Sequence, residues 1–432
     1  MSSKDLLKKV ESRRTGDYYL TCKHPSGLDI FIYPKKDFLT TYAMFSTNYG
    51  SIDNCFRRSD ESESVRVPDG IAHFLEHKLF ENEDCDAFER YAETGASANA
   101  FTSFETTSYL FAASDNVIPS LEILLDFVQK PYFTEATVKK ELGIIGQEIK
   151  MYDDDPNWRV FFNMLEGMYY NHPIKKDIAG SVESIAEITP ELLYRCYNTF
   201  YNLNNMSLVI CGNTDVDEIM NLCDRMLKPS EPVAVEKVFD PEPQTVVKSL
   251  CEEKMSVAIP IFQLGYKEDA SGGLCDEKTL TETEILIDIL ASDSSRLFKR
   301  LYDEELVNEA SFECEFFEGA GYQAVIFSGE SRDPERVAAE IKEEIRRLKS
   351  EGISREDFDV AKKGLYGANI QGLNSSANIA NAVTTLHFKG RDIFRYIDSF
   401  ADVSLEDVEK RLSGMMDESR SVLSIIYPED QE

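Results

Sequence analysis

Residues 137–148, TVKKELGIIGQE, align without a gap with residues 360–371, VAKKGLYGANIQ, and this internal match determines the predicted fold. Both stretches have the apolar spacing of a helix, and both contain a Lys-Lys pair at the same place. The second copy has glycine and glutamine where the first has Glu141 and Glu148. We interpret the match as a duplication in which the first half alone carries chemistry, the alternative being coincidence between two helices.

The strand and helix patterns on either side of this match follow the same order in both halves of the chain. The predicted elements of the first half are strands within 18–50, a helix after residue 70, strands within 98–113, helices at 118–128 and 135–152, and a strand at 206–212. Those of the second half are a strand at 256–266, a helix around 279–304, strands around 311–329 and a helix pair at 334–371. The mixture indicates an α+β fold.

A linker is predicted between the two halves. Residues 228–246, KPSEPVAVEKVFDPEPQTV, contain four prolines and several charges, which is typical of a segment that crosses the surface between globular units. We therefore expect an N-terminal domain at 1–230 and a C-terminal domain at 247–432. The length of 432 residues agrees with more than one domain.

The charge balance excludes some classes of partner. The chain has 46 Lys and Arg against 78 Asp and Glu, a formal net charge of -32, which repels phosphate backbones and anionic lipids. Neither nucleic acid nor a membrane is an expected partner.

The first residues, MSSKDLLKKVESRR, lack the apolar run of a secretory signal, and the nine cysteines include no CxxC pair. We expect a cytoplasmic protein with reduced thiols.

The chemistry is concentrated in the sequence HFLEH, where His73 and His77 lie one helical turn apart and Glu76 lies beside them. Two imidazoles in this arrangement can chelate one ion, and zinc suits such ligands while keeping a coordination position for water. Glu76 is one position out of line with the histidines. It is therefore a candidate general base for that water and not a ligand.

A third protein ligand is needed, and Glu148 is the candidate. Glu141 and Glu148 lie seven residues apart, two turns along one face of a predicted helix. We expect Glu148 to bind the metal and Glu141 to orient a histidine through its free ring nitrogen.

The alternative is an exposed helix that carries these residues without a role. With five histidines in 432 residues, an HxxEH match arises by chance with a probability on the order of 1 in 150. A closed structural zinc site is disfavoured because such sites use four protein ligands, often cysteines. The chain has no GxGxxG, Walker or GxSxG motif, so no organic cofactor is indicated.

These residues resemble one family, the inverzincin peptidases of the pitrilysin/insulinase group. The resemblance rests on HFLEH followed some seventy residues later by Glu-x6-Glu, and it spans the whole chain. The segment SANAFTSFETTSYLF at 97–111 resembles the active-site edge strand of that family. The run from HPIKKDIAGSVESIAEIT at 172–189 to NNMSLVICGN at 204–213 resembles the segments that close its first domain.

The resemblance implies a fold and a substrate. It implies two homologous two-layer α/β sandwich domains with mostly antiparallel sheets, the LuxS/metalloenzyme-like peptidase fold. It also implies a closed chamber that admits unfolded peptides, which bind by β-augmentation to an exposed strand. Asn99, Ala100 and Phe101 would then lie against the peptide, with the Asn99 amide near the scissile bond.

The chain departs from the family at two positions, and this departure bears on whether it needs a partner subunit. Complete peptidases of the family have Arg and Tyr seven residues apart after a helix that resembles SSRLFKRLYDEELVNE, where this chain has Tyr302 and Glu309. Neither residue fits the family role of anchoring substrate or donating to an oxyanion. We therefore expect a homologous zinc-less partner subunit, with a homodimer as the alternative. A non-catalytic scaffold subunit is the competing interpretation.

Overall fold

A computed structural model of the protein describes residues 3–83 and 85–429. The strands are β1 (Lys8–Glu11), β2 (Tyr18–Lys23), β3 (Asp29–Pro34), β4 (Thr41–Thr47), β5 (Cys55–Arg58), β6 (Val65–Arg66), β7 (Ser97–Thr102), β8 (Thr107–Ala113), β9 (Met206–Gly212), β10 (Val235–Lys237), β11 (Leu250–Met255), β12 (Ile261–Lys267), β13 (Glu313–Gly319), β14 (Tyr322–Glu330) and β15 (Ser421–Pro428). The helices are α1 (Ile71–Phe80), α2 (Ala87–Thr94), α3 (Val117–Val128), α4 (Glu135–Asp153), α5 (Pro156–Met168), α6 (Val182–Ile185), α7 (Pro190–Phe200), α8 (Val216–Met226), α9 (Glu277–Ala291), α10 (Arg296–Asp303), α11 (Pro334–Glu351), α12 (Arg355–Gly372), α13 (Ser376–Phe388), α14 (Ile393–Asp402) and α15 (Leu405–Gly414).

The predicted helix around 279–304 is wrong in one respect, because two helices occupy it. Helix α9 ends at Ala291 and α10 begins after Ser295. The Ser295 hydroxyl accepts a hydrogen bond from the backbone N–H of Phe298 at 3.0 Å and so caps the second helix. Apolar periodicity continues across the break, which is why the sequence pattern does not reveal it.

The chain folds into two compact units, and each is built from separate segments. Unit 1 comprises residues 1–149, 177–238 and 372–394, and unit 2 comprises residues 150–176, 239–371 and 395–432. The chain passes from unit 1 to unit 2 between residues 238 and 239, inside the predicted linker. The other four passages between the units, after residues 149, 176, 371 and 394, have no counterpart in the predicted division. The bounds 1–230 and 247–432 stay a prediction, and their ends at residues 1 and 432 lie outside the described residues.

Unit 1 is built on a sheet with the strand order β1-β2-β3-β9-β4-β8-β7. Strand β3 pairs with β9 in parallel, and the other neighbours run antiparallel. Ile30 and Ile32 of β3 are buried in the core that contains α1 and α3. The alternate residue Phe31 contacts His387 of α13, with ring centroids 4.8 Å apart. Because side chains alternate across a strand, α13 covers the opposite face of the sheet.

Unit 2 has a sheet with the order β11-β15-β12-β14-β13, in which β11 and β15 are parallel. Helix α5 packs on β12 and β15 of this sheet. The approach is close, since a Cβ on Gly265 would lie 2.6 Å from the Met164 sulfur, and one on Gly167 would lie 2.7 Å from the Cys251 sulfur. A larger residue at either glycine would force the neighbouring side chains to move.

The two sheets share one strand plan. The order β3-β9-β4-β8-β7 in unit 1 corresponds to β11-β15-β12-β14-β13 in unit 2, and each begins with a parallel pair followed by antiparallel pairs. This correspondence confirms the predicted α+β class with sheets packed against helices. Among the described residues, no helix combines the length and apolar character needed to cross a lipid bilayer.

The protonation of Glu268, a buried carboxyl group of unit 2, affects the stability of the fold. Glu268 is 6% exposed, and its Oε1 accepts a hydrogen bond from the backbone N–H of Met416 at 2.7 Å. Burial raises the pKa of Glu268 to about 7, although Arg420, Arg411 and Lys349 act in the opposite direction. The folded state therefore favours the neutral acid, and this stabilisation is lost as the pH rises from the ordinary carboxyl pKa to about 7.

We expect Glu268→Gln to stabilise the protein at pH 8 by about 1–3 kcal/mol and to have little effect near pH 4.5. Glutamine keeps the acceptor for Met416 and removes the charge. Denaturant unfolding at the two pH values measures the difference, with the exposed Glu356→Gln as the matched control. Equal effects of Glu268→Gln at both pH values would contradict the assignment.

Candidate metal centre

Helix α1 is placed by a close contact at its first turn. Gly70 precedes the helix with φ 88°, and a Cβ there would lie 2.2 Å from the Ala179 carbonyl oxygen. A Cβ on Gly180 would lie 2.4 Å from the Asp69 carbonyl oxygen, and the Ser184 hydroxyl donates to that same oxygen at 2.8 Å. Glycine is therefore required on both sides of this contact. The segment 177–184 thus fixes the start of the helix.

The apolar residues of α1 bury the helix together with its polar groups. Phe74, Leu75 and Leu79 are fully buried in the core of unit 1. His73 and Glu76 are 9% and 8% exposed. Buried polar side chains are costly unless they find partners, so this face of α1 needs hydrogen bonds or an ion.

His73, His77 and Glu148 converge, as predicted, although helices α1 and α4 lie far apart in sequence. Each offers one ligand atom, and these atoms lie within 4.8 Å of one another. The Nε2 atom of His73 is 3.7 Å from Glu148 Oε1, and that of His77 is 3.4 Å from Glu148 Oε2. The two imidazole rings lie 4.6 Å apart at their centroids.

These distances fit a tetrahedral metal ion. Two ligand atoms that each lie about 2.1 Å from a tetrahedral zinc ion are separated by about 3.4 Å. Two imidazoles and one carboxylate also form a donor set that zinc accepts, with one position left for solvent. The residues present therefore fit the metal that the sequence predicts.

The protonation of the two histidines differs. Burial, with a contribution from His77, lowers the pKa of His73 to about 3, so its ring stays neutral, as a metal ligand must be. Burial also acts to lower the pKa of His77, but the hydrogen bond that His77 donates to Glu141 and the charges of Glu76 and Glu148 outweigh it and raise the pKa. The site gathers negative charge around His77, which suits a divalent cation.

Glu141 contacts the second histidine. Its Oε1 lies 3.1 Å from His77 Nδ1, and the residue is 7% exposed. Since Glu148 approaches the other ring nitrogen, the two carboxylates fix the orientation of this imidazole from both sides. The structure identifies His77 as the histidine that Glu141 contacts, and its role in orienting a metal ligand stays a prediction.

Glu76 lies beside the cluster and has a partner that the sequence analysis missed. The Thr102 hydroxyl donates to Glu76 Oε2 at 2.9 Å. Burial raises the pKa of Glu76 to about 7; His77 and Thr102 lower it, and Glu148 raises it. A carboxyl group with a pKa near neutrality is suited to exchange protons. The sequence does contain an indication of this contact. Thr102 lies on the same face of the strand as Ala98 and Ala100, which pack on the core, because every second residue of a strand points to the same side.

The predicted substrate-binding residues lie on an edge strand. Strand β7 is the last strand of its sheet and contacts α1. Asn99 and Phe101 are exposed, whereas Ala100 faces the core. The Asn99 side-chain oxygen accepts a hydrogen bond from the Ala100 backbone N–H at 2.9 Å. Within the described part of the chain, β7 is thus a terminal strand beside the helix that carries Glu76.

Tyr302 and Glu309 belong to unit 2. Tyr302 lies near the end of α10, is 47% exposed and stacks on Phe298 with ring centroids 5.8 Å apart. Glu309 follows in an exposed turn. Neither residue lies in unit 1, which contains the histidine cluster.

Family profiles match both halves of the chain. Residues 64–182 match the family described as Insulinase (Peptidase family M16), and residues 187–365 match the Peptidase M16 inactive domain. The first match contains His73, Glu76, His77 and Glu148. The second contains Gly364, which aligns with Glu141.

Known proteins resemble the chain over nearly its whole length. The solved structure named as an M16-like peptidase of Alicyclobacillus acidocaldarius is 32% identical, with a TM-score of 0.90 over 98% of both chains. Pitrilysin, at 15% identity and a TM-score of 0.73, shares the fold. The match covers 98% of this chain and 46% of the pitrilysin chain. The Bacillus subtilis protein YmfH, named an uncharacterized zinc protease, is 40% identical over 98% of this chain and 100% of its own length. This chain therefore belongs to the insulinase family, peptidase family M16.

Proposed function

We propose that this protein is a zinc-dependent endopeptidase that cleaves unfolded peptides and acts as the catalytic subunit of a two-subunit enzyme. The convergence of His73, His77 and Glu148, with Glu76 beside them, is the observation that supports the proposal most directly. The names of the relatives agree with it, since YmfH is named a zinc protease.

The proposed zinc ligands are His73, His77 and Glu148. When bound, zinc supplies Lewis acidity, which makes water acidic near neutral pH and polarises a carbonyl group. Glu141 keeps His77 in the tautomer with its proton on Nδ1, so that Nε2 offers a lone pair.

Glu76 is the proposed proton carrier. Its carboxylate accepts a proton from the attacking water and passes it to the nitrogen of the departing amine. The pKa near 7, which burial produces, makes both transfers feasible at one pH. The buried site also excludes bulk water from competing for the same hydrogen bonds.

The proposed substrates are peptides in extended conformation. Among the described residues no strand pairs with the outer edge of β7, which lies next to α1, and a peptide that adds to this edge would bring its backbone to Glu76. Asn99, Ala100 and Phe101 would contact it. Folded proteins have few free extended segments, so unfolded peptides are the expected substrates. Their cleavage is proposed to take place in an enclosed chamber.

A second chain is proposed to complete the enzyme. The fold of this chain covers 46% of pitrilysin, so a chain of similar size would account for the remainder. Tyr302 and Glu309 differ from the Arg and Tyr that the family uses, and the partner would supply that pair. A homologous zinc-less subunit is favoured over a homodimer because a second copy of this chain would bring the same two residues.

A scaffold subunit without catalysis is the second candidate function. The altered Tyr302 and Glu309 favour it, and the second family profile is described as an inactive domain. The arrangement of Glu76 opposes it, because a scaffold has no physical need for a buried carboxyl group beside a metal site.

We expect Glu76→Gln to retain about one zinc ion per chain and to lose about 100-fold to 10,000-fold in kcat. Glutamine keeps the acceptor for Thr102 but takes up no proton. Metal analysis and peptide cleavage by the complete enzyme measure the two effects. A zinc-free wild-type chain of ordinary stability would favour the scaffold function instead.

We expect Glu141→Gln to weaken zinc binding by about 10-fold to 100-fold, since His77 loses a charged partner that orients it. Competition with a chromophoric chelator measures the affinity. The matched control is Glu135→Gln, at an exposed position in the first turn of the same helix. Unchanged affinity in Glu141→Gln would show that the contact at Nδ1 is not used.

We expect the purified chain alone to cleave unstructured peptides far more slowly than the chain with its partner. Purification from the native host should yield a co-purifying chain of similar size whose sequence lacks HxxEH. The rate should rise on titration of that chain to one equivalent. Full activity of the isolated chain, as monomer or homodimer, would refute the partner requirement.

A further inference from the structure

The hydrogen bond between Thr102 and Glu76 has a defined direction. A threonine hydroxyl has one proton, and here the Thr102 hydroxyl donates it to Glu76 Oε2 at 2.9 Å. The oxygen that receives this bond must offer a lone pair. Because this bond lowers the basicity of Oε2, Glu76 Oε1 is the oxygen that is favoured to take up a proton.

The neighbouring hydroxyl is already engaged elsewhere. Thr107 lies opposite Thr102 in the register of β7 and β8, and its hydroxyl donates to the Tyr49 carbonyl oxygen at 2.9 Å. The separation of the two threonine hydroxyls is longer, at 3.5 Å. Thr107 therefore does not compete for the lone pair of Glu76, and the proton of Thr102 remains committed to the carboxylate.

The backbone around Thr102 is rigidly supported. The turn that joins β7 to β8 is fixed by backbone hydrogen bonds from Ser51 to Ser103 and from Ile52 to Phe104, each 3.1 Å long. Tyr49 is fully buried and stacks on Phe200, with ring centroids 4.0 Å apart. Thr102 thus stands at the supported end of the edge strand, where the strand reaches Glu76.

We propose that Thr102 is a positioning residue that holds Glu76 Oε2, so that Oε1 faces the attacking water and exchanges the proton. This inference rests on the proposed peptidase function. It also gives β7 two tasks, since the strand that pairs with the peptide also orients the base. Thr102 touches neither substrate nor metal in this scheme and acts through Glu76.

The proton transfer that Thr102 supports can be written in full. One proton moves from water to Glu76 Oε1 while the water oxygen forms a bond to the peptide carbonyl carbon. The same proton then moves from Oε1 to the amide nitrogen as the carbon–nitrogen bond breaks. The hydrogen bond from Thr102 to Oε2 remains intact throughout, and no oxidant or further reactant is required.

The test uses three variants of the complete enzyme with an unstructured peptide. We expect Thr102→Val to lower kcat by about 10-fold to 100-fold, with zinc content and KM unchanged. Thr102→Ser keeps the hydroxyl and should restore most of kcat. Thr107→Val removes the neighbouring hydroxyl and should lower the unfolding midpoint without reproducing the loss in kcat.

A second measurement does not depend on turnover. In crystal structures of the zinc-bound protein, the Glu76 carboxylate should keep one orientation in the wild type and in Thr102→Ser and should rotate in Thr102→Val. An unmoved Glu76 or an undiminished kcat in Thr102→Val would overturn the proposal, as would loss of zinc or an equal loss of kcat in Thr107→Val. If the wild type cleaves no peptide with its partner present, the proposed function fails, and the carboxylate orientation still decides the role of Thr102.

Discussion

Burial of helix α1 is the constraint on which the site depends. The apolar side chains of this helix hold it in the core, so His73 and Glu76 are carried into a region with little water. Helix α4 brings Glu148 to 3.7 Å from His73 Nε2 and Glu141 to 3.1 Å from His77 Nδ1, while Thr102 of β7 donates to Glu76. Burial then produces opposite effects on two neighbours, since it keeps His73 neutral and raises the pKa of Glu76.

The same burial links the candidate metal centre to the edge of the sheet. Strand β7 packs its alanines on the core beside α1, so its next inward residue, Thr102, reaches Glu76. The outward residues, Asn99 and Phe101, stay exposed on β7, which is a terminal strand of its sheet as far as the structure describes the chain. One strand thus offers a backbone edge on one side and a hydroxyl for the carboxylate on the other. Peptide binding and proton transfer are therefore proposed to share a single structural element.

The internal repeat carries the cluster of His73, His77 and Glu148 in one of the two units. Both units repeat the same strand order, and α4 and α12 carry the matched sequences that include Glu148 and Gln371. Residues 150–176 nevertheless belong to unit 2, and residues 372–394 return to unit 1. Each helix that follows the matched helix therefore packs on the sheet of the other copy. This arrangement keeps a helix on each sheet, while Glu141 and Glu148, the acidic residues of the matched segments, lie in unit 1.

The sequence by itself determined the α+β class and the internal repeat, and it identified His73, Glu76, His77 and Glu148 as candidate site residues, because helical spacing and residue chemistry are local properties. It did not reveal the break between α9 and α10, since apolar periodicity runs across it. The tertiary structure alone decided that Glu141 contacts His77, that Thr102 contacts Glu76, and that α5 and α13 pack on their respective sheets. Those contacts join residues that are distant in the chain, and sequence spacing carries no information about which distant surfaces meet in the core.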